Sequence, residues 1–152
     1  MPADDAKLLL SLGEGEDQAR KVLHQALQIT PAELDQTSPA PTNYAYVTRM
    51  DYQLTKFGVA PASAGLLPCY WLYNEIGKEL AQKQSPDPIY QTFFDGYAGE
   101  DFTTSTTQIR EIVDRLAAQV DEPTQALMSE AFAKSCYYEV HFWQMALMKE
   151  NW

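Results

Sequence analysis

The chain has 152 residues, 45% of them hydrophobic, and a formal net charge of −10. That length suits one domain with a core of its own, and its 11 Lys and Arg residues form no basic stripe, which argues against a nucleic-acid partner. No apolar stretch is long enough to cross a bilayer. The acidic opening Met1-Pro2-Ala3-Asp4-Asp5, followed only by Leu8-Leu9-Leu10, does not read as a signal peptide. The expectation is a cytoplasmic, single domain over 1–152 with no membrane partner, in which Cys69 and Cys136 stay reduced.

Helix signals dominate in chain order, with few β-branched residues and no Asn-Gly or Asp-Gly hairpin turn. Residues 4–28 read as a first helix with apolar positions Leu8, Leu12, Val22, Leu23, Ala26 and Leu27, weakened by Gly13 and Gly15. Thr30-Pro31-Ala32-Glu33 is a capping box that opens a short helix. After the linker Thr37-Ser38-Pro39-Ala40-Pro41, a helix is predicted over 42–56, breaking near Gly58. The next is predicted over 61–82, kinked by Pro68, whose missing N–H strands a carbonyl one turn earlier. Asp87 caps a short helix over 88–95, and Gly96 and Gly99 bracket Tyr97. Two more helices follow over 100–120 and 124–149, separated by the turn Asp121-Glu122-Pro123. The fold class is therefore all-α, a helical bundle.

Three features could carry chemistry. Cys69 follows Pro68, with Tyr73 one turn further on the same side. It is either a nucleophile activated by a neighbour or a plain buried thiol. Glu139 lies in the aromatic run Cys136-Tyr137-Tyr138-Glu139-Val140-His141-Phe142-Trp143. Burial there would keep it protonated near neutrality, as a general acid requires. The plainer readings are a solvated edge position or a Glu paired with a Tyr hydroxyl. Third, the chain carries nine tyrosines, several of which could line a polar-edged pocket for a small aromatic ring, although ordinary helix packing must explain most of them. Metal, haem and phosphate-loop sites find no support. The two histidines, His24 and His141, lack ligand spacing, the cysteines form no zinc pair, and Gly13-Glu14-Gly15 has no companion signature.

Five segments together carry a resemblance. They are Pro41-Thr42-Asn43-Tyr44-Ala45-Tyr46, Leu66-Leu67-Pro68-Cys69-Tyr70-Trp71-Leu72-Tyr73-Asn74-Glu75-Ile76-Gly77, Pro88-Ile89-Tyr90-Gln91, Asp95-Gly96-Tyr97, and Ser135-Cys136-Tyr137-Tyr138-Glu139-Val140-His141-Phe142-Trp143-Gln144-Met145-Ala146. In this order and spacing they resemble the TenA family, also called thiaminase II or aminopyrimidine aminohydrolase. The match is strong over 42–152 and looser over 1–41.

The resemblance implies a haem-oxygenase-like helical bundle that binds no haem and uses no cofactor or metal. It implies hydrolysis of a C–N bond on an aminomethyl pyrimidine or thiamin, giving hydroxymethyl pyrimidine for thiamin salvage. Cys69 falls on the family nucleophile and Glu139 on the proton donor, while Tyr46, Tyr73 and Tyr97 fall on pocket tyrosines. A homo-oligomer, tetramer or dimer, is implied as well.

The resemblance further implies an N-terminally truncated version of the fold. The family's leading helices, with an aspartate that grips the aminopyrimidine, have no counterpart in the matched segments, and neither Asp4, Asp5 nor Asp51 takes that place. Pro61 and Gly65 depart from expectation in the helix that presents Cys69. The alternative to an enzyme is a TenA-like pyrimidine-binding or scaffold protein without turnover. A metal- or haem-dependent oxygenase on the same fold is disfavoured by the lack of ligands.

Overall fold

A computed structural model describes residues 7, 20, 21 and 23–152. Most of the expected helix over 4–28 lies outside the described residues, including Leu8, Leu12, Gly13, Gly15 and Val22. Residues 20, 21 and 23–26 are helical. Six helices follow: α1 (Pro31–Gln36), α2 (Pro41–Phe57), α3 (Val59–Ala81), α4 (Pro88–Ala98), α5 (Glu100–Ala118) and α6 (Glu122–Met148). No strand occurs among the described residues.

The boundaries follow local chemistry. At α1 the Thr30 hydroxyl accepts from the Glu33 N–H, and the Glu33 carboxylate accepts from the Thr30 N–H at 2.8 Å, which completes the capping box. Gly58 ends α2 with φ 83° and ψ −169°, a conformation that suits glycine almost alone, and its N–H donates to the Leu54 carbonyl. Helix α3 runs through Pro68 without interruption, so the expected kink does not break it. Helix α4 continues through Gly96 and Tyr97 to Ala98, further than its sequence pattern suggests. Helix α6 starts two residues early because the Asp121 carboxylate accepts from the Thr124 N–H, which makes Glu122 and Pro123 its first turn.

Two compact units emerge. One comprises residues up to Thr37 together with Trp71–Ile109, and the other Ser38–Tyr70 with Arg110–Trp152. Within the first, the buried Asn74 amide of α3 donates to the Tyr97 carbonyl at 2.8 Å and to the Thr103 hydroxyl at 2.9 Å. One side chain thus ties α3 to α4 and α5. Gly77 lets α4 approach, since a Cβ there would stand 2.8 Å from the Tyr97 Cβ.

In the second unit α2 packs along α6. Helix α6 buries Met128, Ala131, Ser135 and Glu139, one stripe at helical spacing. Helix α2 buries Tyr46 and Gln53, two turns apart. Ala64, Leu67 and Tyr70 of α3 and Ile112, Val113 and Leu116 of α5 complete the buried apolar set.

The N-terminal end of α2 is closed by the tail. Helix α2 has no side-chain N-cap of its own; the Glu150 carboxylate accepts from the Thr42 N–H at 2.9 Å instead. A carboxylate at that site also meets the positive end of the helix dipole. The Trp152 indole donates to the Pro39 carbonyl at 3.0 Å and packs edge-on against Tyr44.

Gly58→Ala should therefore destabilise the protein by about 1–3 kcal/mol, the usual cost of a side chain in that backbone region. Chemical denaturation followed by circular dichroism measures this. An unchanged midpoint would mean that the α2–α3 junction does not need glycine.

Candidate active site

Three helices bring the proposed chemistry together within the second unit. Tyr46 lies in α2 and Cys69 in α3, and Ser135 and Glu139 stand one turn apart on α6. The Tyr46 hydroxyl donates to Glu139 Oε1 at 2.7 Å. Both side chains are buried, at 7% and 5% exposure. The Tyr46 ring also stacks on Tyr138 at 5.1 Å with the planes 7° apart, so phenol and carboxylate are held from two directions. Of the readings open for Glu139 in the sequence, the solvated edge is ruled out; the residue is buried and paired with a tyrosine hydroxyl.

The electrostatics centre on Tyr46. Burial first, then the hydrogen bond to Glu139 and its charge, then the charge of Cys69, push the Tyr46 phenol far above its ordinary range. The Ser135 hydroxyl acts on the same phenol in the opposite direction. Cys69 therefore shares the electrostatic environment of Tyr46. It is only partly buried and forms no disulfide with Cys136. Burial, followed by the charge of Glu139, raises the Cys136 thiol, so the carboxylate faces a second sulfur.

Several polar groups in this unit are buried without a hydrogen bond among the described residues: the Ser135 hydroxyl, the Gln53 side-chain amide and Arg49 Nε. Gly65 explains how Gln53 fits. A Cβ at residue 65 would lie 2.5 Å from Gln53 Oε1, so this glycine makes room for a buried amide one turn before Cys69.

Tyr73 and Tyr97 belong to the first unit. Their rings meet at 5.0 Å, and Tyr97 also contacts Phe93 at 4.7 Å and Phe102 at 4.8 Å. Tyr97 is thus the centre of an aromatic cluster anchored through its own carbonyl by Asn74. A small apolar recess of about 120 Å³ in the same unit, lined by Leu23, Ala26, Pro88, Ile89 and Thr92, includes none of the candidate residues. Among the described residues no three His, Cys, Asp or Glu side chains gather as a metal-holding group.

Reasoning from the sequence missed Ser135, Gln53 and Asn74. Ser135 could have been found from its position one turn before Glu139, and Asn74 from being a lone amide inside an aromatic helix.

With this geometry in view, comparison with known proteins identifies the family. The TENA/THI-4/PQQC family model matches residues 13–149. The chain belongs to the TENA/THI-4/PQQC family. An aminopyrimidine aminohydrolase of Bacillus subtilis is 36% identical over 95% of this chain and 63% of its own length. One from Halalkalibacterium halodurans is 29% identical over 86% of this chain and 61% of its own. The chain thus spans less than two thirds of the length of these relatives. The crystal structure of a TenA-like thiaminase from Sulfolobus solfataricus P2 superposes with a TM-score of 0.80 at 25% identity, covering 99% of this chain and 69% of that one. The expected all-α fold is accordingly the TenA fold.

The Tyr46 environment has a consequence for stability. A phenol whose folded-state pKa lies above its unfolded value stabilises the fold fully below the unfolded pKa, and that contribution declines as pH rises past it. Stability should fall as pH climbs above about 10.0, the ordinary tyrosine value. Tyr46→Phe should flatten this dependence while lowering stability at neutral pH, because it leaves Glu139 buried without its donor. Urea titrations between pH 7 and pH 11 measure both effects, and an equally steep alkaline decline in Tyr46→Phe would assign it elsewhere.

Proposed function

We propose that this chain hydrolyses the exocyclic C–N bond of an aminopyrimidine, an aminomethyl pyrimidine or thiamin, and so supplies hydroxymethyl pyrimidine for thiamin salvage. The observation that carries this reading is the buried Tyr46–Glu139 hydrogen bond beside the Cys69 thiol. The relatives named aminopyrimidine aminohydrolase supply the substrate class.

In this reading Cys69 is the nucleophile and Glu139 the proton donor. The Cys69 thiolate adds to an electron-poor carbon of the pyrimidine ring and places an electron pair in the ring. That pair expels the exocyclic amine, which leaves with its bonding electrons and takes the Glu139 proton. Water then adds to the exposed exocyclic carbon and gives a proton back to the Glu139 carboxylate. The ring–sulfur bond breaks last and restores the thiolate. The balance is one amine and one water consumed, one alcohol and one ammonia formed.

Tyr46 holds the carboxyl in place through this cycle. Tyr73 and Tyr97 are carried as substrate-binding residues by their positions in the family pattern. No cofactor or metal enters any step, and the substrate is the small-molecule partner.

We further infer a homo-oligomer, dimer or tetramer, supported by the exposed apolar side chains Tyr137, Val140, Leu147 and Met148 along α6. No described helix is long and apolar enough to cross a membrane, and a cytoplasmic location remains part of this reading.

The decisive assay follows ammonia release from aminomethyl pyrimidine. Cys69→Ala should reduce it to background, and Glu139→Gln should lower kcat by about 10²–10⁴-fold, the usual range for a lost general acid. Saturable binding of the pyrimidine with no ammonia release above the Cys69→Ala level would overturn hydrolysis. It would favour the non-catalytic, pyrimidine-binding alternative.

A further inference from the structure

Ser135 is 1% exposed, and its hydroxyl makes no hydrogen bond among the described residues. A buried hydroxyl left unpaired costs on the order of 1–3 kcal/mol, so its position calls for a reason. The reason lies one turn along α6, where Glu139 accepts the only proton that the Tyr46 phenol can donate. The phenol oxygen keeps its acceptor capacity. The Ser135 hydroxyl acts on that same phenol, opposing the effect of burial, while forming no hydrogen bond among the described residues.

We infer that Ser135 is a positioning residue: its hydroxyl donates to the Tyr46 oxygen and completes a chain from Ser135 through Tyr46 to Glu139. A phenol that accepts a hydrogen bond becomes the stronger donor, so the chain tightens the grip on Glu139 Oε1. The carboxyl is then held through Oε1 in one orientation. Among the described residues, the thiols of Cys69 on α3 and Cys136 on α6 face the pair. Neither can replace the donor, because a thiol is a weak one. The role in turnover rests on the hydrolase reading given above; the hydrogen-bond chain itself does not.

Two readouts separate those claims. The first needs no activity. The pH titration of the Glu139 carboxyl is followed by carbon-13 NMR of Glu-labelled protein and assigned with Glu139→Gln. Donation from Tyr46 favours the carboxylate, so Ser135→Ala should move the midpoint upward by roughly half a unit or more. Ser135→Thr, which keeps the hydroxyl, should restore it. On a Tyr46→Phe background, Ser135→Ala should have no further effect, because the link is gone. No movement in Ser135→Ala, or the same movement with and without Tyr46, would overturn the chain. Ala is a good helix former and suits this site; Ser135→Cys, of similar size, serves as a second removal.

The second readout is ammonia release. Ser135→Ala should lower kcat roughly three- to tenfold with KM unchanged, and Ser135→Thr should recover most of it. Equal losses in the Ala and Thr proteins would point to packing and overturn positioning. If the parent chain releases no ammonia, the hydrolase reading fails, while the carboxyl titration still decides the hydrogen-bond chain.

Discussion

The hydrogen bond from Tyr46 to Glu139 is the constraint on which the second unit depends. A carboxyl at 5% exposure requires a partner, because an unpaired charge or polar group in a helix interface is costly. The partner comes from the facing helix, so α2 and α6 can pack only in the register that brings the two residues together. The ring stack of Tyr46 on Tyr138 reinforces that register. The tail secures the same pair one turn before Tyr46, with Glu150 serving as the missing N-cap of α2 and Trp152 anchored on Pro39.

The unit trades packing efficiency for polar placement. Ser135, Gln53 and Arg49 all bury polar atoms without a hydrogen bond among the described residues. Native interiors hold few such atoms, and they concentrate where function sets the requirement. Gly65 shows the same bias, since the helix that presents Cys69 gives up a side chain to admit the Gln53 amide. The first unit is organised differently. There the buried Asn74 amide is fully used as a donor, and Tyr97 sits at the centre of an aromatic cluster.

Much of the architecture was legible beforehand. The capping box at Thr30, the glycine stop at Gly58 and the Asp87 cap are local devices whose chemistry is complete within a few residues, and each reads correctly. Other stretches lean on tertiary packing. Helix α3 continues through Pro68, which is fully buried, because the lost backbone bond is outweighed by the contacts of a packed helix. Helix α4 likewise absorbs Gly96, since Tyr97 is secured by Asn74 from another helix.

The same division holds for the site. The sequence by itself determined the all-helical class, the family, and the positions of Cys69, Glu139, Tyr46, Tyr73 and Tyr97 as candidates, because motif identity and spacing are properties of the chain. It left Glu139 open between a solvated edge, a buried acid and a tyrosine partner. Only the tertiary structure decided that question, since burial and pairing depend on residues 93 positions apart. Ser135 is the sharper example. In the chain it is one serine among others; its place beside the Tyr46 oxygen exists only once α2 and α6 have packed.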